Sequence, residues 1–422
     1  MLFPLLPCPL PPSHVLHFVL QERFGARMPL LRLDGCFAFS PHPPPLPPPH
    51  SSVTIRVSSR VTPPPHCHLT GKPMGLESTT ARNFLRGPLL EGVGLRIGIN
   101  GLGRIGRGLL RSLFEDNRFE VAAVNDVAST EVLAHLLNHD SYYHSWSHAA
   151  EPSGREVILL DGAPVPCFHH HTPGEIPWSD HGVDWVVEAT GRFKDRENLE
   201  AHGVPVILSA ASGETDRQVV FGVNHEKIKA GERILSATSC TTHCVASPLK
   251  VLAENFDVKS VLFNTVHCYN VNQTLVDAPQ RDLRRARAGA LNIIPTTTSA
   301  SRAIESVLPE LRGRILGMAI RVPAPATSLT EIIARVEPPP TSSWVSEKLR
   351  AAALGDLKGI LAVTDEELVS QDFVGNTASS IVDESLTAVN GGLLRLIAWY
   401  DNEWGYIHRL VDLLAFLKEK TR

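Results

Sequence analysis

From Leu95 to Phe114 the chain reads LRIGINGLGRIGRGLLRSLF: a short apolar run, three glycines spaced G-x-G-x-x-G, and then a helical pattern. This order forces a strand to turn into a helix within a few residues, which demands a residue without Cβ at Gly101. Gly103 lets a pyrophosphate approach the backbone, Gly106 allows close helix–strand packing, and the helix N-terminus offers free N–H groups and the positive end of its dipole. A second run, FEVAAVND, ends at Asp126, some 25 residues past Gly101. A carboxylate there accepts hydrogen bonds from an adenosine ribose and repels a 2′-phosphate, so the spacing favours NAD over NADP. The competing reading of Asp126 is a turn residue at a strand end.

Further strands, VDWVVEATG (Val183 to Gly191) and VPVILSA (Val204 to Ala210), flank a helical stretch, RFKDRENLEAH. Strands alternating with helices build a parallel, doubly wound sheet, so a Rossmann-type α/β domain is expected over residues 94–239. Beyond Val258 the pattern becomes longer strands (VKSVLFNTVHCY, GRILGMAIRVP, SLTEIIARVE), a basic loop (DLRRARAG) and a helix (SASRAIESVLPEL). This predicts a second, α+β catalytic domain with a mixed sheet over 240–401. Before Val93 lie 18 of the 33 prolines, and prolines that fix φ and remove donors keep such a segment from burying a core. Residues 1–93 therefore read as a proline-rich extension. Five arginines (Arg23, Arg27, Arg32, Arg56, Arg60) and few acidic residues fit an organelle transit peptide, whereas Met28 and Met74 fit a downstream start of translation.

With 422 residues the chain exceeds what one core usually organises. A formal charge of −4 supplies no field for nucleic acid or an anionic membrane surface, so neither is expected as a partner and anion binding must be local. Seven scattered cysteines make no disulfide framework.

One thiol stands out. Cys240, in SATSCTTHC, follows the apolar strand ILSA and opens the helical pattern THCVASPLKVLAENF. A thiol at a helix N-terminus has a lowered pKa and gains nucleophilicity. Cys244, one turn on, could with Cys240 form half of a zinc site, but no second Cys or His pair accompanies them, and no metal is expected. Cys244 and Cys268 read as small core residues. His267, in HCYNVNQ just after an apolar strand, is a candidate base; the alternative is a histidine satisfied by a backbone carbonyl.

Together these motifs resemble the glyceraldehyde-3-phosphate dehydrogenase family from Leu95 to the C-terminus: INGLGRIGR, VVEATGRF, SATSCTTHC against the family's S-N-A-S-C-T-T-N-C, DLRRARAGALNIIPTTT, LPELRGRILGMAIRVP and WYDNEWGY. The resemblance implies Cys240 as nucleophile and His267 as its activator. Cofactor contacts fall to Gly101, Gly103, Arg104, Ile105, Gly106, Asp126, Thr190, Ser209 and Asn402, the last facing the nicotinamide carboxamide, with the closing helix of 402–422 returning to the nucleotide domain. It assigns the phosphate of a phosphorylated aldehyde to Arg285, Arg321 and Asn270, and inorganic phosphate to Ser239, Thr241, Thr298 and Ser299; arginine forks and hydroxyls suit such sites. It further implies a cytoplasmic homotetramer.

The sequence departs from the family where threonine is usual at Asn270, aspartate or threonine at Asn272, glycine at Ser299, asparagine at Ala237 and His243, and Arg or Lys at His171. An amide and a hydroxyl still donate to phosphate, though a side chain at Ser299 narrows that site. Pro279, with Asp126 and Val127, agrees with the NAD-using branch. A sister dehydrogenase of another phosphosugar, such as erythrose 4-phosphate, and a non-catalytic NAD-binding homologue are the competing readings. The joint presence of Cys240, His267, Arg285, Arg321 and Asn402 argues against the second.

Overall fold

The computed structural model describes residues 94–271 and 273–420, so the readings of the 1–93 extension and of Asn272 lie outside the described residues. The strand Leu95–Asn100 is buried along nearly its whole length and pairs in parallel with Phe119–Asn125 on one side and Trp185–Glu188 on the other. A strand covered on both faces needs the near-continuous apolar run that the sequence supplies. Gly101 leaves it at φ +94°, where a Cβ would stand 2.7 Å from Thr190 N, and a Cβ on Gly106 would stand 1.9 Å from Gly101 O. No side chain fits at either position, and the helix Arg104–Phe114 can start against the strand end.

Among the described residues this sheet has nine strands, extended on one side by Val206–Leu208, Ile234–Ser236 and Arg217–Gln218, all parallel. At the other edge Ala150–Pro152, Val157–Leu160 and Ala163–Phe168 are joined antiparallel, an addition to the parallel sheet that the alternating pattern predicts. Its cause is local. Asp161 (φ +48°) and Gly162 (φ +81°) form a two-residue hairpin turn between paired Leu160 and Ala163, the geometry that Asp-Gly favours. The predicted helix after Gly191 shortens to Arg196–Glu200, because the Asp195 side chain caps it by accepting from Asn198 N at 3.0 Å.

Among the described residues the second sheet has seven strands, in the order Ile294–Thr296, Ile315–Val322, Asp257–Cys268, Ser328–Glu337, Leu393–Tyr400, Ser380–Asn390 and Leu361–Thr364. It is mixed, as expected: Asp257–Cys268 runs parallel to Ile315–Val322 and antiparallel to Ser328–Glu337. The helix Cys240–Asn255 covers this sheet, with Cys244, Val245, Leu249 and Leu252 in a core shared with Phe263, Ile332 and Leu396. The closing helix Trp404–Lys420 instead packs Ile407, Leu410 and Leu414 among Leu109, Leu110 and Leu113 of the first helix. The approach is close enough that a Cβ on Gly108 would stand 2.3 Å from Ile407 Cδ1. Among the described residues no helix is long and apolar enough to cross a membrane.

Candidate active site

The strand Ile234–Ser236 delivers the chain to Thr238, which takes a left-handed φ of +52° although it is β-branched and fully buried. That conformation is costly for threonine and persists only where surrounding packing imposes it. Here it turns the chain so that Ser239 becomes the N-cap of the next helix and Cys240 its first residue. Ser239 Oγ accepts from Thr242 N at 3.2 Å. His243, buried four residues on, donates Nδ1–H to Ser239 O at 3.0 Å and stands edge-on to Tyr406. Its ring braces the capping residue, and burial pushes its pKa down to about 4, which leaves it neutral.

Cys240 Sγ faces His267 Nε2 at 3.7 Å. The helix terminus by itself predicts a lowered thiol pKa, but burial pushes the Cys240 thiol up, opposed by the Arg321 guanidinium and by the N–H and hydroxyl of Thr241. Desolvation of the thiolate outweighs the local dipole. A base beside the sulfur is therefore required. His267 and Arg321 are register partners on adjacent parallel strands, which places Arg321 Nη1 2.5 Å from His267 Nδ1 and 2.9 Å from Cys268 O. Nδ1 also lies 2.8 Å from Cys268 O. As placed, the Arg321 N–H donates to the Nδ1 lone pair, which puts the neutral ring's proton on Nε2; only when Arg321 moves away can an Nδ1–H donate to Cys268 O and leave the Nε2 lone pair facing sulfur. Burial, and then the Arg321 charge, holds His267 down at about 3, so the ring is neutral at physiological pH.

Arg321 senses the charges of both Cys240 and Arg285. Arg285 Nε is paired with Asp282 Oδ2 at 3.6 Å, whereas no carboxylate forms an ion pair with Arg321 among the described residues, so an anion near Arg321 would gain from a cation that is otherwise uncompensated. Arg285 is held by Thr296 Oγ1 at 2.8 Å and Thr297 O at 3.2 Å, close in sequence to Thr298 and Ser299. Ser299 is the N-cap of Ala300–Val307 at φ −82°, ψ −5°, a conformation open to any residue, so glycine is not required there; its hydroxyl makes no capping bond. Thr298 Oγ1 accepts from Ala300 N at 3.2 Å. The Thr241 hydroxyl, expected to face phosphate, also lies 3.0 Å from Tyr400 Oη, which contacts Thr265 Oγ1 at 2.7 Å. Half-buried Asn270 opens the turn after the His267 strand, its carbonyl accepting from Gln273 N at 2.8 Å. Ala237 is buried, and His171 is exposed on the first sheet's periphery.

The glycine turn fits a dinucleotide. Among the described residues a Cβ on Gly103 would meet nothing within 4 Å, and the N–H groups of Arg104, Ile105 and Gly106 lie in the first helical turn, ahead of the Arg107 N–H bond to Gly103 O. Asp126 Oδ2 accepts from Leu102 N at 2.7 Å and Oδ1 from Ala128 N at 2.9 Å, so the carboxylate also ties the turn together and retains lone pairs for a ribose. The Arg104 side chain is committed to Asp140 and Glu403, which leaves only its backbone for a cofactor. Likewise the Thr190 hydroxyl donates to buried Glu188. Ser209 N donates to Glu188 O at 2.9 Å. Asn402 sits between the strand Leu393–Tyr400 and the closing helix, its Oδ1 3.1 Å from Cys268 Sγ.

Sequence reasoning passed over two supports. Fully buried Glu188 accepts from Asn100 Nδ2 at 2.5 Å and Thr190 N at 2.8 Å; a lone acidic residue inside VVEATG was its signal. Asp401 accepts from Glu403 N, Trp404 N and Tyr143 Oη through Oδ1 and from Gly375 N through Oδ2, which fixes the turn that carries Asn402.

Comparisons with known proteins agree with this geometry. Residues 95–196 match the family model described as the NAD binding domain of glyceraldehyde 3-phosphate dehydrogenase, and residues 239–402 match that of its C-terminal domain. The chain is 43% identical over 331 residues to glyceraldehyde-3-phosphate dehydrogenase 1 of Bacillus cereus, a span of 77% of this chain and 99% of that protein. Its identity to the glyceraldehyde-3-phosphate dehydrogenase of Geobacillus stearothermophilus is 43%, over 77% and 99% of the two chains. To that of Streptomyces coelicolor it is 44%, over 76% and 98%.

Proposed function

We propose a reaction route for this chain, which belongs to the glyceraldehyde-3-phosphate dehydrogenase family, that runs through Cys240 and His267. The chain is an NAD-dependent oxidoreductase that converts glyceraldehyde 3-phosphate and inorganic phosphate to 1,3-bisphosphoglycerate. In the route, Cys240 Sγ attacks the aldehyde carbon as His267 Nε2 takes the thiol proton and passes it to the carbonyl oxygen, giving a thiohemiacetal and leaving His267 neutral again. NAD, when bound, supplies the acceptor for the hydride that leaves this carbon. His267 takes the hydroxyl proton of the thiohemiacetal, and a thioester remains on Cys240. An oxygen of inorganic phosphate then attacks the thioester carbonyl, the carbon–sulfur bond breaks, and Cys240 departs as thiolate and takes back the proton held by His267.

Residues 94–239 with the closing helix hold NAD through Gly101, Gly103, the N–H groups of Arg104, Ile105 and Gly106, and Asp126, with Thr190, Ser209 and Asn402 beside them; residues 240–401 carry the chemistry. Arg285, Arg321 and Asn270 hold the substrate phosphate, and Ser239, Thr241, Thr298 and Ser299 the attacking one. When the substrate anion draws Arg321 toward itself, Nδ1–H of His267 is left to Cys268 O, the tautomer that serves as base. The single observation that carries this reading is the meeting of Cys240 Sγ and His267 Nε2 at 3.7 Å, with the Arg321 guanidinium on the far side of the ring. A cytoplasmic homotetramer completes it, with exposed Leu262, Leu316 and Met318 of the second sheet, and Leu283 and Ile293 elsewhere in the catalytic region, offering apolar surface to other copies.

Steady-state NADH formation tests the substrate. Glyceraldehyde 3-phosphate should be oxidised rapidly only with phosphate or arsenate present; robust phosphate-independent turnover of erythrose 4-phosphate would instead identify a sister dehydrogenase whose thioester is hydrolysed.

A further inference from the structure

We propose that the Cys268 thiol is a positioning group that pins the amide oxygen of Asn402, so that Asn402 presents its NH2 as a hydrogen-bond donor to the carboxamide oxygen of the nicotinamide. The proposal rests on reading Asn402 as the residue that faces that carboxamide.

Cys268 ends the strand Asp257–Cys268, directly after the proposed base, and is 1% exposed. Its N–H donates to Ser328 Oγ at 3.3 Å, and its carbonyl accepts from Arg321 Nη1 at 2.9 Å. Backbone on both sides of the sulfur is thus held. Its Sγ reaches Asn402 Oδ1 at 3.1 Å, a much closer approach than that of the neighbouring buried thiol of Cys244, which lies 3.9 Å from both Ser380 Oγ and Ala398 O. Burial pushes Cys268 up to about 12, so the sulfur keeps its proton and meets the amide as a donor.

A terminal amide has two nearly isosteric orientations, and its hydrogen-bond partners choose between them. Cys268 supplies the only side-chain partner of Asn402 among the described residues, and it selects the orientation with Oδ1 toward the sulfur. The NH2 is then turned away from the thiol. Asp401 fixes the turn backbone by accepting from Glu403 N and Trp404 N at 3.0 and 2.9 Å, so the freedom left lies in the Asn402 side-chain torsions, on which the thiol acts by holding Oδ1. A ligand group meeting Asn402 must then be an acceptor, which the carbonyl of a carboxamide is.

The test uses the full-length protein and measures NAD affinity by titration alongside kcat and KM. Cys268→Ala should raise the dissociation constant for NAD about 3- to 10-fold, the weight of one hydrogen bond, with KM for glyceraldehyde 3-phosphate unchanged. Cys268→Ser, which restores a donor at similar volume, should recover most of the affinity. In an Asn402→Ala background Cys268→Ala should have no further effect. Asn402→Asp keeps the acceptor for the thiol and removes the NH2, so it should lose at least as much NAD affinity as Asn402→Ala, a readout that does not depend on how Cys268 variants fold. Unchanged affinity in Cys268→Ala, equal losses in both backgrounds, a serine variant no better than alanine, or wild-type affinity in Asn402→Asp would each overturn the proposal. NAD titrations report this coupling even if the aldehyde is not the substrate; failure of the wild-type protein to oxidise glyceraldehyde 3-phosphate would count against the functional reading alone.

Discussion

Cys240→Ser is expected to lower phosphate-dependent NADH formation by on the order of 10⁴-fold or more, with NAD affinity close to wild type. The burial that already pushes the thiol up falls still harder on an alkoxide, whose parent hydroxyl is far less acidic. The groups that oppose it, Arg321 and the Thr241 N–H and hydroxyl, cannot make up that difference. Serine also forms an ester, which phosphate attacks less readily than a thioester. The strained turn at Thr238 and the helix cap from Ser239 remain, since neither uses the sulfur. The nucleotide cradle at Gly101–Gly106 and Asp126 lies on another part of the chain. Turnover assays with a parallel fluorescence titration of NAD check both halves. Activity near wild type would remove Cys240 from the route.

His267→Asn is expected to cost about 10²- to 10⁴-fold in kcat, the range for loss of a general base. Its pH dependence is more informative. Because His267 is held down at about 3 by burial and Arg321, the neutral, basic form already prevails above that pH, so the wild-type profile should show no acidic limb at the ordinary histidine pKa near 6.5. Without the ring, Cys240 must ionise unaided against its burial. The deficit should therefore be largest near neutrality and shrink as pH rises, both in turnover and in alkylation of Cys240 by iodoacetamide. A deficit independent of pH would assign His267 a packing role, for which its edge-on contact with Tyr400 gives a structural basis.

The sequence disclosed best what local sterics decide. Gly106 is legible because a Cβ there would overlap Gly101 O within the same turn, and Gly101 because the abrupt strand-to-helix turn takes a positive φ. Cys240 is legible because an apolar strand and a helical pattern meet there. The antiparallel edge was equally local in origin, since Asp161-Gly162 is a hairpin signal, but the alternating strand–helix pattern masked it. What stayed hidden depends on chain segments far apart. The direction of the Cys240 shift follows from burial by both sheets' neighbours, which outweighs the helix terminus. The contact between Arg321 and His267 spans 54 residues and follows from strand register. The Thr241 hydroxyl reads as a phosphate donor in sequence, yet it also meets Tyr400, 159 residues away. Arg104 follows the glycine motif as a cofactor residue would, but its side chain completes an ion-pair cluster with Asp140 and Glu403. Buried Glu188 shows the converse case, a single polar letter in an apolar strand that organises the turn around Thr190.

The central claim is that Cys240 carries an acyl group that phosphate removes, and mass spectrometry of the protein tests it most directly. Incubation with glyceraldehyde 3-phosphate and NAD in phosphate-free buffer should leave one 3-phosphoglyceroyl adduct on the peptide containing Cys240, and brief addition of phosphate should discharge it. Rapid NADH formation with no such adduct, an adduct on another residue, or an adduct that phosphate does not remove would contradict the account.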